Sequence, residues 1–129
     1  MAEWSDVERV AGGLPGVDES TWFNNRAFKV RGKAFAWDRP LRQKEFVELG
    51  DAAPDGPVLG VRVADAADKA AVLKMHDATF TVEHFRNFDA VLVDLERVDL
   101  DTLTELIEDA WLSQAPRKLI AEFESRGPA

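Results

Sequence analysis

The sequence predicts an α+β fold, an antiparallel sheet with helices gathered on it, and three observations lead there. Short strand-like runs follow one another through the first half, the clearest helical patterns lie towards the ends, and the regular strand-helix alternation of a doubly wound fold is missing. At 129 residues the chain has the length of a single domain, 1–129, with enough material for one self-sufficient core. No internal repeat, low-complexity tract or Pro/Ser-rich linker divides it.

The spacing predicts a short helix over 4–11, with Ser5 or Asp6 near its start, Val7, Val10 and Ala11 as its apolar edge, and Gly12-Gly13 as its stop. Leu14-Pro15-Gly16 then turns the chain, 20–23 reads as a first strand, and Asn24-Asn25 leads into a central hairpin. There a two-residue loop at Arg31-Gly32 pairs Val30 with Lys33 and Phe28 with Phe35. That register gathers Phe28, Val30, Phe35 and Trp37 on a core face and leaves Ala27, Lys29, Ala34 and Ala36 opposite. Residues 41–49 read as extended or as a helical turn, 50–57 as a Gly/Pro/Asp-rich loop, and 58–63 as a strand. Asp65 caps a helix running to about Met75, with Ala66, Ala70 and Leu73 at helical spacing. Residues 80–88 form an aromatic-rich connection, and 90–95 a strongly apolar strand. Asp101 opens the clearest helix, with a stripe of Leu103, Leu106, Ile107, Ala110 and Trp111 and a capping-box spacing at Thr102 and Glu105. Pro116 sits where a last short helix begins, docked by Leu119, Ile120 and Phe123.

Composition removes several function classes. With 46% apolar and 31% charged residues the chain reads as a folded globular protein, and no apolar run is long enough to span a bilayer, so no membrane partner is expected. An N-terminus carrying Glu3, Asp6 and Glu8 lacks the pattern of a secretory signal, which makes a cytoplasmic location the default expectation. The absence of cysteine excludes disulfides, thiolate nucleophiles and the usual structural zinc sites. Oligomeric state leaves no signature.

Charge is polarised. The formal net charge is −8, yet residues 26–44 hold seven Lys or Arg against Asp38 alone, a local +6 that leaves −14 for the remainder. An acidic chain is not drawn as a whole to nucleic acid or anionic membrane, so any such binding is local. Cations interleaved with aromatics suit phosphate neutralisation and base stacking, which marks Lys29, Arg31, Lys33, Arg39, Arg42 and Lys44 as candidate nucleic-acid contacts. The alternative is that these cations only solvate a strand whose aromatic residues are core.

Catalytic and metal chemistry finds no motif. His76 and His84 each adjoin an acid, Asp77 and Glu83, but at no ligand spacing, and a surface or capping role suffices for both. His84 and Phe85, lying between Phe80 and Phe88, are the candidate pocket residues. Asp94, Glu96 and Glu105 occupy the first, third and twelfth places of a calcium loop, but Val98 replaces a ligand and Asp99 stands where the turn needs Gly. No serine lies in a Gly-x-Ser-x-Gly elbow, and no glycine-rich loop precedes Lys-Ser/Thr. Hence no catalytic residue, metal or cofactor is expected.

Leu14-Pro15-Gly16-Val17, Phe28-Lys29-Val30-x-Gly32-Lys33-x-Phe35-Ala36, His84-Phe85 ahead of Val91-Leu92-Val93-x-Leu95, and the helix of residues 103–111 together resemble the MmcQ/YjbR-like family of small bacterial proteins. The likeness runs over 4–123, and its specificity lies in the order and spacing of the motifs. It implies a curved antiparallel sheet with helices at both ends, described in versions as a double wing and as secretion-chaperone-like, and members are often labelled predicted DNA-binding. No catalytic residues come with it. Two partner classes follow: nucleic acid at the basic hairpin, and a protein or peptide accepted by the sheet face or by residues 80–88. An enzyme built around His84 comes last.

Overall fold

A computed structural model gives the structure of residues 2–126; Met1 and 127–129 lie outside the described residues. Helix α1 (Trp4–Gly12) starts at Glu3, whose backbone N–H donates to Asp6 Oδ2 at 2.9 Å. Six strands follow: β1 (Val17–Trp22), β2 (Asn25–Val30), β3 (Lys33–Asp38), β4 (Val58–Arg62), β5 (Thr79–Phe80) and β6 (Ala90–Asp94). They form one sheet in the order β1-β2-β3-β4-β6-β5, antiparallel at every step, and the α+β class is as expected. Among the described residues no helix is long and apolar enough to cross a membrane.

Strand β1 begins three residues before the expected 20–23. It is an edge strand whose central residues Asp18, Glu19, Ser20 and Thr21 are all exposed, so it carries no apolar alternation to read. Two-residue turns join β1 to β2 and β2 to β3, with positive φ at Phe23 (51°), Asn24 (67°), Arg31 (51°) and Gly32 (81°), as type I′ hairpins require.

The expected register holds at the hairpin tip, where Val30 faces Lys33 and Lys29 faces Ala34. It then slips: Phe28 faces Ala36 rather than Phe35, and Ala27 faces Trp37. The extra residue is a β-bulge on β3, two residues opposite one, which breaks the strict alternation on which the expectation rested. Consequently Phe35 and Ala36 both enter the helix-side core with Phe28 and Val30, while Trp37 turns to the other face beside Ala27. The expected placement of Trp37 with Phe28, and of Ala36 opposite, is corrected by that one residue.

On the helix side, α4 (Leu100–Gln114) buries the expected Leu103, Leu106, Ile107, Ala110 and Trp111. Its cap is Asp99, which accepts the Thr102 N–H at 2.7 Å, so the expected box at Thr102 and Glu105 lies inside the helix. Trp111 Nε1 donates to Pro15 O at 3.1 Å, tying α4 to the turn before β1, and Phe123 of α5 (Arg117–Ser125) packs 5.2 Å from the Trp111 ring. Helix α3 (Ala66–Met75) is capped by Asp65 as expected, through the Asp68 N–H at 2.8 Å.

The opposite face has a smaller core built on Trp37, Val58, Val82, Phe85 and Leu92. Within residues 41–49 helix α2 (Gln43–Leu49) forms, packing on this core through Leu49 while Leu41 packs there from the segment before it, and a short 3-10 turn, Gly50–Ala52, follows. Trp37 can lie flat on the sheet because its partner across β3 and β4 is Gly60, where a Cβ would overlap the indole ring. Gly60→Ala is therefore expected to displace Trp37 and destabilise the chain by about 1–3 kcal/mol, the range for overpacking. Urea unfolding monitored by far-UV circular dichroism measures the loss.

Candidate functional site

The bulge and the β1–β2 turn converge on a cleft of about 850 Å³ at the end of the sheet where β1 meets β2 and β3 leads to α2. Trp37, 3% exposed, forms its floor. Trp22 meets Trp37 edge to face, 4.8 Å between centroids at 90°. Phe88 lies 6.2 Å from Trp37 and packs perpendicular to Phe85 at 5.3 Å. Such offset and edge-on contacts are the favoured arrangements of aromatic quadrupoles, so the rings set one another's angles. Phe23, 78% exposed, projects from the β1–β2 turn at the mouth.

The wall supplied by the segment between β5 and β6 is clamped from behind. Lys69 of α3, 9% exposed, donates from Nζ to the carbonyls of Phe85 and Phe88, the latter at 2.9 Å. Burial holds its ammonium below the usual lysine range, partly opposed by the negative charge of Asp89. Arg62 adds a bond from Nε to Asp89 O at 3.0 Å and a guanidinium 4.8 Å over the Phe88 ring.

The polar side is built on Arg39, which follows β3. Its guanidinium engages Glu45 of α2 through two hydrogen bonds, Nη1 to Oε1 at 2.9 Å and Nη2 to Oε2 at 2.8 Å, and Nη1 also donates to Pro40 O at 2.8 Å. Both residues are buried, Arg39 at 8% and Glu45 at 0% exposure, and the guanidinium lies 5.2 Å over the Phe85 ring. Burial pushes the Glu45 carboxyl up. The Arg39 hydrogen bonds, the Arg42 N–H at 2.9 Å and the charges of Arg39 and Arg42 outweigh that and leave it below its usual value. Arg42 is exposed and lines the cleft, as does His84.

The candidate cations divide into two groups. Arg39 and Arg42 line the cleft and Lys44 lies exposed on α2 beside it, whereas Arg31 and Lys33 are exposed at the hairpin tip and Lys29, partly buried, faces Asp18 across β1 and β2. Lys33 opens β3 and Arg39 follows its last residue, so about 20 Å of extended chain separates the groups. Arg26, which also counts in the +6 window, stacks 4.6 Å over Trp4 on the helix side. His84 and Phe85 do line the cleft. Glu83 turns to Arg86, 3.2 Å away, and among the described residues the His84 ring has no hydrogen-bond partner and no three His, Asp or Glu side chains are grouped to hold a metal. Trp22, Phe23 and Trp37 are cleft residues that sequence reasoning missed. The available signal was Trp22-Phe23 immediately before Asn24-Asn25: large rings at a turn with no apolar partner in sequence.

The YjbR family model matches residues 12–113, from the end of α1 to α4, a span that takes in the whole sheet and the lining of the cleft. The chain belongs to the YjbR family. The uncharacterized protein Rv2570 of Mycobacterium tuberculosis and the uncharacterized protein Mb2600 of Mycobacterium bovis are each 39% identical to it over 127 residues, 95% of this chain and 96% of theirs. Among solved structures, the Deinococcus radiodurans protein DR2400, whose domain is described as DUF419, matches with a TM-score of 0.64 at 18% identity, covering 96% of this chain and 89% of that one. That likeness establishes the YjbR fold.

In this YjbR chain the Arg39–Glu45 pair makes stability depend on pH with a definite sign. Because the folded carboxyl lies below its unfolded value of about 4.3, the pair contributes fully above that pH and is lost as pH falls through the depressed value. Glu45→Gln leaves the buried Arg39 charge unpaired and is expected to cost about 3–5 kcal/mol at pH 7. Denaturant melts from pH 7 to pH 3 check both parts: wild type loses stability below about pH 4.5, while the variant starts lower and loses less over that interval.

Proposed function

We propose that this chain is a non-enzymatic binding module whose ligand inserts an apolar or aromatic group into the cleft bounded by Trp22, Trp37 and Phe88. The observation that carries this reading is the cleft itself: about 850 Å³, walled by aromatic rings held from behind by Lys69 and Arg62, and open at the mouth. That volume lies within the range of small-molecule sites, and a few polar groups among apolar walls is their usual make-up. A protein or peptide side chain is one source of such a group, since Phe46 and Val47 of α2, the helix that follows the lining residues Leu41 and Arg42 in the chain, are exposed apolar side chains.

Titration of 15N-labelled protein with an aromatic fragment, 2-naphthamide, tests the reading. The indole N–H signals of Trp22 and Trp37 are expected to shift together, and Trp22→Ala to weaken binding about tenfold. Shifts that avoid both indoles overturn it.

A second reading, nucleic-acid binding at the hairpin, is favoured by one observation: Arg31 and Lys33 are exposed and have no ion-pair partner among the described residues. In this reading the tip contacts phosphates. A fluorescent single-stranded oligonucleotide is then expected to bind at low salt, and Arg31→Gln with Lys33→Gln to reduce the slope of log affinity against log salt by about 1.4. An unchanged slope removes the tip from any such contact.

A further inference from the structure

The charge around the cleft names a ligand class. In a chain with 24 acidic residues against 16 Lys and Arg, none of the side chains lining the cleft is acidic, while Arg39, Arg42 and His84 are among them. Of the acids on α2 and on the wall segment, Glu45 holds Arg39, Glu48 accepts the Glu83 N–H at 2.8 Å, and Glu83 pairs with Arg86. The two arginines differ in availability. Arg39 is spent on Glu45 and Pro40 O, whereas the Arg42 guanidinium has no ion-pair partner among the described residues and Arg42 lines the cleft. A single free guanidinium is a planar fork that matches one carboxylate in two parallel hydrogen bonds.

Phe23 supplies the second observation. Its φ of 51° lies in the left-handed region, where a bulky side chain is strained, and its ring is 78% exposed, so neither backbone preference nor burial in the folded chain accounts for an aromatic residue there. Its ring lies 4.9 Å from that of Trp22, tilted by 44°, leaving a face turned to solvent at the mouth. Arg31 shares the positive φ, but its polar side chain is at home in water.

Building on the cleft as a binding site, we propose that its ligand is a planar aromatic carboxylate, with the ring system covered by Trp22 and Phe23 and the carboxylate on the Arg42 guanidinium. A free aromatic acid and the C-terminal aromatic residue of a peptide share this chemistry.

Isosteric probes decide it. Tryptophan fluorescence titrations are made with 2-naphthoate, its neutral isostere 2-naphthamide, 2-naphthyl phosphate and a tetrapeptide ending in free Phe. Wild type is expected to bind 2-naphthoate at least tenfold tighter than the amide, and Arg42→Gln to bring the two affinities within about twofold of each other. Phe23→Asn, which suits a left-handed turn position, is expected to raise Tm while weakening both probes about fivefold. Tighter binding of the tetrapeptide than of 2-naphthoate assigns the carboxylate to a peptide terminus; the reverse assigns it to a free acid. Equal affinity for naphthoate and amide in wild type, survival of the preference in Arg42→Gln, or tenfold tighter binding of the phosphate overturns the carboxylate proposal while the cleft stands. Failure of every probe to perturb Trp22 and Trp37 overturns the cleft reading as well.

Discussion

Between Lys29 and Phe28 the ladder joining β2 and β3 loses step by one residue, and both faces of the sheet depend on that slip. A strand side chain belongs to one face or the other with no intermediate, so a single inserted residue moves everything beyond it across the sheet. Before the bulge, β3 feeds the helix-side core; after it, Trp37 lies on the opposite face and Arg39 is carried to the edge of the second core. Gly60 completes the arrangement by leaving the space that the Trp37 indole occupies. The cleft is thus a consequence of sheet geometry before it is a property of any particular side chain.

What fixes the cleft's borders is polar. Arg39 and Glu45 fasten α2 to the end of β3, and Lys69 fastens the wall between β5 and β6 to α3. Buried charges of this kind add little net stability over a well-packed apolar contact, because desolvation offsets their attraction, but they tolerate few geometries. Each of these cations either stacks on or bonds the backbone of the same aromatic wall: Arg39 over Phe85, Arg62 over Phe88, Lys69 on the carbonyls of both. The rings are held by groups that an all-apolar core would lack.

The elements that the sequence made legible are those whose pattern is local. The stripe on α4, the Asp65 cap of α3 and the Arg31-Gly32 turn each depend on residues within a few positions of one another. Strand β1 looks short from its sequence because its polar residues sit on an edge, and Asp99 competes with Thr102 for the cap because either spacing satisfies the same orphan donors. Strict alternation puts Trp37 on the wrong face because a bulge breaks periodicity without changing composition. For the site, His84, Phe85, Arg39 and Arg42 were singled out, but their association with Trp22 and Phe23 depends on which strands pair, information spread over more than 60 residues. A run of like charges also gave no hint that one of its members, Arg39, would be enclosed and matched to Glu45.

The hairpin that carries Arg31 and Lys33 reaches the far end of β3 from Arg42, about 20 Å of strand away. At physiological ionic strength the Debye length is about 8 Å, so charges at the two ends act on solution species almost independently. Two electrostatic sites of the same sign therefore coexist on one small acidic chain without setting each other's potential. The tip can gain or lose a cation with little effect on an anion held in the cleft, and salt that weakens the exposed tip leaves the sheltered Arg39–Glu45 pair largely untouched.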